Sequence, residues 1–251
     1  MGVTRREVLG GAALVAWLPA ALATPLELRI VTTHLAPYSI EHDRAAPGAL
    51  VELLEAILER AGIPARISFV PWKRAVHETN SLRRTAVFPL TRTPEREAAF
   101  RWLVELYREE FLFLTLRDGR FNWLAPQDMK QARIGILRGS AMVPVIREMG
   151  YQRVVETNSI RESMRFLEGG IVDALMGDRS IFGNAIRSLS NRPSSNTERF
   201  VFSEPVRATV TWLGGSLDIP EAEAQRLQKA RTALVEDGSY ARIMKKYGLT
   251  P

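Results

Sequence analysis

The sequence contains no cysteine in its 251 residues, which excludes zinc ribbons, cysteine-held iron-sulfur clusters, thiol nucleophiles and disulfide-held folds. Histidine is almost as scarce. His34, His42 and His77 are the only three, and their spacing suits no metal. A zinc-helix motif and a Gly-rich phosphate cradle are both missing. There is no internal repeat, and no low-complexity stretch longer than the polar segment 191–196. What is present is ordinary, with 46% hydrophobic and 25% charged positions, the balance of a globular chain. At about 150 residues per domain the length suits one large domain or two modest ones. Lys and Arg number 34 against 28 Asp and Glu, yet Arg is scattered from Arg29 to Arg242 without interleaved aromatics. That distribution reads as solvated surface and argues against a nucleic-acid partner.

The longest apolar run lies at the start. Arg5 and Arg6 precede Val8 to Leu18, and Ala21, Leu22 and Ala23 offer a small-residue cleavage site before Thr24. The run contains Gly10 and Gly11 and stops at Pro19, short of the roughly 20 residues that span a bilayer. Residues 1–23 therefore read as a signal peptide, with an uncleaved anchor as the alternative. Thr4-Arg5-Arg6-Glu7-Val8-Leu9 resembles a twin-arginine signal but lacks the usual aromatic and Lys, so the general secretory route stays open. Cleavage removes two Arg and one Glu, leaving 32 basic against 27 acidic groups and a formal charge of +5. The expected product is soluble and periplasmic.

From there strand-like and helix-like segments alternate, as in an α/β protein. Leu26 to Thr32 reads as a strand, and apolar residues from Leu50 to Leu58 recur at helical spacing until Gly62. Ala65 to Phe69 is a second strand, followed by a helix after Trp72. Ala86 to Leu90 is a third and runs into Thr91-Arg92-Thr93-Pro94-Glu95-Arg96, where Thr93 as N-cap and Pro94 as first residue predict a helix with Arg96 in its first turn. Phe111 to Leu116 suits a strand, and the pattern then restarts. Ile134 to Leu137 is a strand, Arg138-Gly139-Ser140 a turn, and Ala141 to Met149 a helix closed by Gly150. Ser159 with Glu162 forms a capping box for a helix ending at Gly169 and Gly170. Val172 to Met176 is a buried strand, and Asp178 opens the next helix. Ala208 to Leu213 is the last strand, before helices at 221–236 and 239–246. Periodicity alone does not say which strands share a sheet.

The order of a first strand, Ala36-Pro37-Tyr38, Gly48 with the Leu50 helix, and Thr93-Pro94-Glu95-Arg96 with Phe100 resembles the periplasmic solute-binding proteins of amino-acid ABC importers. Leu137-Arg138-Gly139-Ser140, Gly170-Ile171-Val172-Asp173-Ala174 with Asp178, and Gly238-Ser239-Tyr240 with Lys245-Lys246-Tyr247 continue the likeness in the family's order. The resemblance implies a type II two-lobed α/β fold with two crossing strands as hinge and the ligand in the cleft. The crossings fall near 107–111 and 207–211. Lobe one is then 24–108 plus 209–251, and lobe two is 109–208.

The resemblance also implies site residues. An Arg at the position of Arg96 holds the ligand's α-carboxylate, which suits the planar fork of a guanidinium; the plain reading is a surface Arg paired with Glu95. Asp178 matches the carboxylate for the α-ammonium, at the strand end where open α/β sheets place ligands; it is equally a helix N-cap. Trp72 matches an apolar wall and Tyr38 an aromatic contact, and either reads as core. Gly139 and Ser140 are expected to offer amides and a hydroxyl from lobe two, or simply a turn. Thr91 matches a hydroxyl for the carboxylate. Pro89 stands where the family commonly has Ser, and it supplies neither hydroxyl nor amide donor. Arg74, Arg92 and Arg138 either crowd the cleft and favour an acidic ligand or are solvated.

The implied function is capture of a small polar ligand, an amino acid or related carboxylate, by a monomer that delivers it to a membrane ABC permease, without catalysis, cofactor or metal. Two alternatives share the scaffold. A dehydratase-like enzyme needs a general acid or base, for which His34 and His77 are the neutral-pH candidates. A ligand-sensing module needs a separate membrane receptor.

Overall fold

The computed structural model describes residues 27–119, 130–190 and 197–251; the signal peptide expected at 1–23 and the 191–196 segment lie outside them. Strands β1 (Leu28–Thr32), β2 (Ala65–Phe69) and β3 (Thr85–Thr91) pair in parallel, with helix α1 (Ala49–Ala61) and helix α2 (Trp72–Ser81) as crossovers. A 16-residue strand β4 (Arg101–Leu116) comes next. The pattern then restarts with β5 (Arg133–Leu137), α3 (Met142–Glu148), β6 (Arg153–Thr157), α4 (Ile160–Glu168), β7 (Ala174–Asp178) and α5 (Arg179–Ser190). Strand β8 (Phe200–Phe202) pairs with β4, strand β9 (Arg207–Gly215) returns, and α6 (Glu221–Glu236) and α7 (Ser239–Lys246) close the chain. Sequence periodicity marked neither β6 nor β8.

The sheet order is β2-β1-β3-β9-β4-β7-β5-β6. β4 makes the joint by changing partners. Arg101 to Phe111 runs antiparallel to β9, and Phe111 to Thr115 runs antiparallel to β7. Phe111 and Phe113 face one apolar cluster while Leu112 and Leu114 face another, so the continuous apolar run there reflects burial on both faces. The first lobe packs α1, α6 and α7 on one face of β1 and β3, and Trp72 and Ala75 of α2 on the other. The second lobe is covered by α3 on one side and by α4 and α5 on the other.

Local signals placed most helix ends. Gly62 at φ 62° closes α1. Ser159 accepts from the Glu162 amide at 3.2 Å, although Glu162 returns its carboxylate to the amide of Asn158 rather than of Ser159. The helix expected after Thr93 is a single 3-10 turn, Pro94–Arg96, and Thr93 makes no side-chain cap. β4 starts five residues later, which leaves that helix no length to propagate.

Candidate functional site

Between the lobes lies a partly open cavity of about 70 Å³. Apolar walls dominate it, among them Leu35, Phe111, Leu137, Ile160 and Phe182, and its charged groups are Arg96, Glu109 and Asp178. It adjoins a groove of about 590 Å³ that shares the Leu35, Leu137, Ile160 and Ile181 walls.

Arg96 follows β3 on the 3-10 turn, half-buried. It donates to the carbonyls of Thr91 and Gly139, both at 3.1 Å, and burial draws its pKa down. Among the described residues it forms no ion pair, so the pairing with Glu95 is not made. Trp72 opens α2 and donates its indole N–H to the same Gly139 carbonyl at 3.3 Å. One carbonyl of the second lobe thus receives two donors of the first. Gly139 turns its carbonyl, not its amide, toward the first lobe, and the Ser140 amide is spent on Leu137 within the turn. The Ser140 hydroxyl accepts from the Met142 amide at 3.2 Å.

Asp178 ends β7 and caps α5, accepting from the amides of Ser180 at 2.9 Å and Ile181 at 3.0 Å. Its other oxygen accepts from the Glu110 amide at 3.3 Å, and Tyr38 donates its phenol across the cleft at 2.9 Å. Burial pushes the Asp178 carboxyl up, and these bonds oppose that rise. Tyr38 is held by its own carbonyl, which accepts the Leu50 amide at 2.9 Å at the start of α1. Gly48 precedes that helix at φ 106°, where a Cβ would lie 2.5 Å from the Tyr38 carbonyl oxygen, so only glycine fits.

Five of the seven residues expected from sequence line the cavity: Arg96, Asp178, Trp72, Thr91 and Ser140. Tyr38 and Gly139 stand behind the wall and bind its members. Pro89 is also on the wall. The three other arginines are engaged elsewhere. Arg92 pairs with Glu97 and stacks over Trp102 and Trp212, Arg74 pairs with Glu78, and Arg138 pairs with Glu156, and none of the three lines the cavity. His34 and His77 are exposed and line other surfaces than the cavity.

Glu109 was missed. It is buried, lines the cavity, and accepts from the Thr91 hydroxyl at 3.3 Å. Burial first, then the charge of Asp178, pushes its carboxyl well above the ordinary range. In sequence Arg108-Glu109-Glu110 looks like a charged surface run. Counting back by twos from Phe111 would have found it, since Phe111, Glu109 and Tyr107 share the buried face of β4 while Arg108 and Glu110 are exposed.

The sequence profile of the bacterial extracellular solute-binding proteins, family 3, matches residues 28–250. The chain belongs to this family. No curated protein sequence matches it. Among solved structures, this family 3 chain is similar to the arginine-, lysine-, histidine-binding protein ArtJ from the thermophilic bacterium Geobacillus stearothermophilus. The TM-score is 0.76 at 18% identity, over 90% of this chain and 96% of that one. A histidine kinase sensor domain similar to periplasmic binding proteins matches with TM-score 0.77 at 19% identity, over 90% and 98%. EhuB in complex with hydroxyectoine matches with 0.77 at 19%, over 89% and 88%. These likenesses establish the fold of the family 3 protein, two-lobed α/β of type II, with the cavity at the junction of the lobes.

Proposed function

We propose that this family 3 protein captures an amino acid or related small carboxylate in the cavity between its lobes and delivers it to a membrane ABC permease. We place lobe one at 24–108 plus 209–251, lobe two at 109–208, and a removable export signal at 1–23. The observation that carries the reading is the cavity between the lobes in which one guanidinium and two carboxylates are held among apolar walls. Arg96 matches a carboxylate with its fork, and a carboxylate of the cavity matches an amine. Thr91, Trp72 and Ser140 complete the wall, while Tyr38 and Gly139 tie the lobes. Because the cavity admits only a few water-sized groups, any longer ligand side chain extends into the adjoining groove. A ligand touching both lobes stabilises the closed form through contacts absent when they part.

A thermal-unfolding panel of amino acids, dicarboxylates, amines and small peptides tests this, with Arg96→Ala beside the wild type. Stabilisation by an amino acid that disappears in the variant is expected. No shift with any carboxylate would remove the reading. Chemically unchanged ligand should be recovered after binding; conversion would mark an enzyme. The likeness to a histidine kinase sensor domain favours a second reading, in which the closed lobes signal to a separate receptor. Ligand uptake by cells lacking the protein, with and without its restoration, separates the two.

A further inference from the structure

Two carboxylates face the cavity, each 3% exposed, and they differ in how fully they are already engaged. Asp178 accepts three amides and one phenol and sits on the N-terminus of a 12-residue helix. Glu109 accepts one hydroxyl at 3.3 Å. A carboxylate that ionises offers about four acceptor positions, and ionising it with most of them unfilled in a buried site is costly. Arg96 acts on Glu109 through its charge but directs its donors to the Thr91 and Gly139 carbonyls. Glu109 is therefore a buried acceptor aimed into a cavity, short of donors.

We propose that Glu109, rather than Asp178, receives the protonated amine of the ligand, while Asp178 serves as the latch that Tyr38 engages across the cleft. The inference rests on the cavity being the ligand site. It also narrows the ligand. Arg96 and Glu109 both contact Thr91, one at its carbonyl and the other at its hydroxyl, so the anionic and cationic groups they receive lie close together. That is the arrangement of an α-amino acid, not of an ω-amino acid or a diamine. The charged and titratable groups facing Glu109 are Arg96 after β3, Asp178 at the end of β7, Tyr38 before α1, and Tyr107 on its own strand. Before binding, Glu109 holds its proton over a wider pH range than an ordinary carboxyl. An arriving ammonium ionises it, and that proton leaves to solvent.

The test is calorimetric titration with matched pairs that differ only in the amine: alanine with lactate, leucine with 2-hydroxy-4-methylpentanoate, phenylalanine with phenyllactate. Wild type, Glu109→Gln, Asp178→Asn and the cavity-filling Ala141→Phe are compared, with folding checked by circular dichroism. The amine should be preferred at least tenfold by wild type, and Glu109→Gln should reduce that ratio at least tenfold. Asp178→Asn should leave the ratio within threefold even where both affinities fall. Proton release, read from titrations in buffers of different ionisation enthalpy, should vanish in Glu109→Gln alone. A ratio that collapses in Asp178→Asn and survives in Glu109→Gln overturns the assignment, as does a wild type that ignores the amine or binds no member of any pair. If binding persists in Ala141→Phe, the cavity reading itself fails; if it is lost there while the ratio survives Glu109→Gln, only the Glu109 assignment fails.

Discussion

The Tyr38 phenol donates to Asp178 Oδ1 at 2.9 Å across 140 residues of chain, one group anchored at the start of α1 and the other at the end of β7. Both are buried. Burial and the neighbouring charge of Asp178 raise the Tyr38 pKa well above its usual value, so the phenol is protonated and a donor at neutral pH. Closure therefore carries a charge-assisted bond that needs no ligand. Tyr38→Phe removes it, and bonds to charged groups contribute about 1.5–3 kcal/mol. Urea unfolding should show a loss in that range, and small-angle scattering of the ligand-free protein should show a larger radius of gyration. An unchanged radius and midpoint would mean that the bond contributes nothing to closure.

Stability should depend on pH through Glu109. Its folded pKa lies well above the ordinary carboxyl value, which in an unfolded chain is about 4.3. Between the two the folded state binds the extra proton, so stability falls as pH rises from the unfolded value through the folded one and then levels off. Asp178, also raised, acts in the same direction. Glu109→Gln keeps the neutral shape at every pH, so its unfolding free energy should decline less between pH 5 and pH 8 and should exceed that of wild type at the alkaline end. Parallel curves for the two proteins would contradict the burial of this carboxyl.

Arg96→Lys retains the charge but not the fork. A lysine ammonium cannot meet two carboxylate oxygens in one plane while donating to the Thr91 and Gly139 carbonyls. Ligand affinity should fall about 10-fold to 100-fold, the equivalent of one charge-assisted bond, with the thermal midpoint of the free protein moved much less. Equal Kd values for the two proteins, measured calorimetrically, would show that Arg96 does not grip the ligand.

Gly177 on β7 lines the cavity, and a Cβ there would lie 2.6 Å from the Phe182 ring. Gly177→Ala must push that ring aside, and such overpacking costs about 1–3 kcal/mol. Denaturant titration should find a loss of this size together with weaker ligand binding. Ser159→Ala, by contrast, removes the cap of α4 at a residue that lines the adjoining groove but not the cavity. About 0.5–2 kcal/mol of stability should go, while Kd stays within a few fold.

Much of the fold was legible. Gly62, Ser159 and the 3.6-residue recurrence from Leu50 to Leu58 act within a few positions of themselves, and the elements they predict are present. The helix after Thr93 was misread because Thr93 and Pro94 are signals for a first turn and do not specify a second; β4 claims the chain at Arg101. Arg96, Asp178, Trp72, Thr91 and Ser140 could be named beforehand. Their contacts could not, since the partner of Trp72 and Arg96 is a main-chain carbonyl, and every residue has one.

The sequence by itself determined the α/β order, the restart of that order after residue 116, most helix termini and the residue types available to a cleft, because these depend on local propensity and apolar period. Only the tertiary structure decided that Glu109 is buried, that Asp178 is already engaged by Tyr38, and that Gly139 joins the lobes through its carbonyl. Those outcomes depend on β4 exchanging β9 for β7 at Phe111, a pairing between segments about 100 residues apart along β4 and β9. Dielectric environment and hydrogen-bond supply are set by whatever the fold brings alongside a side chain, and its neighbours in sequence carry little of that information.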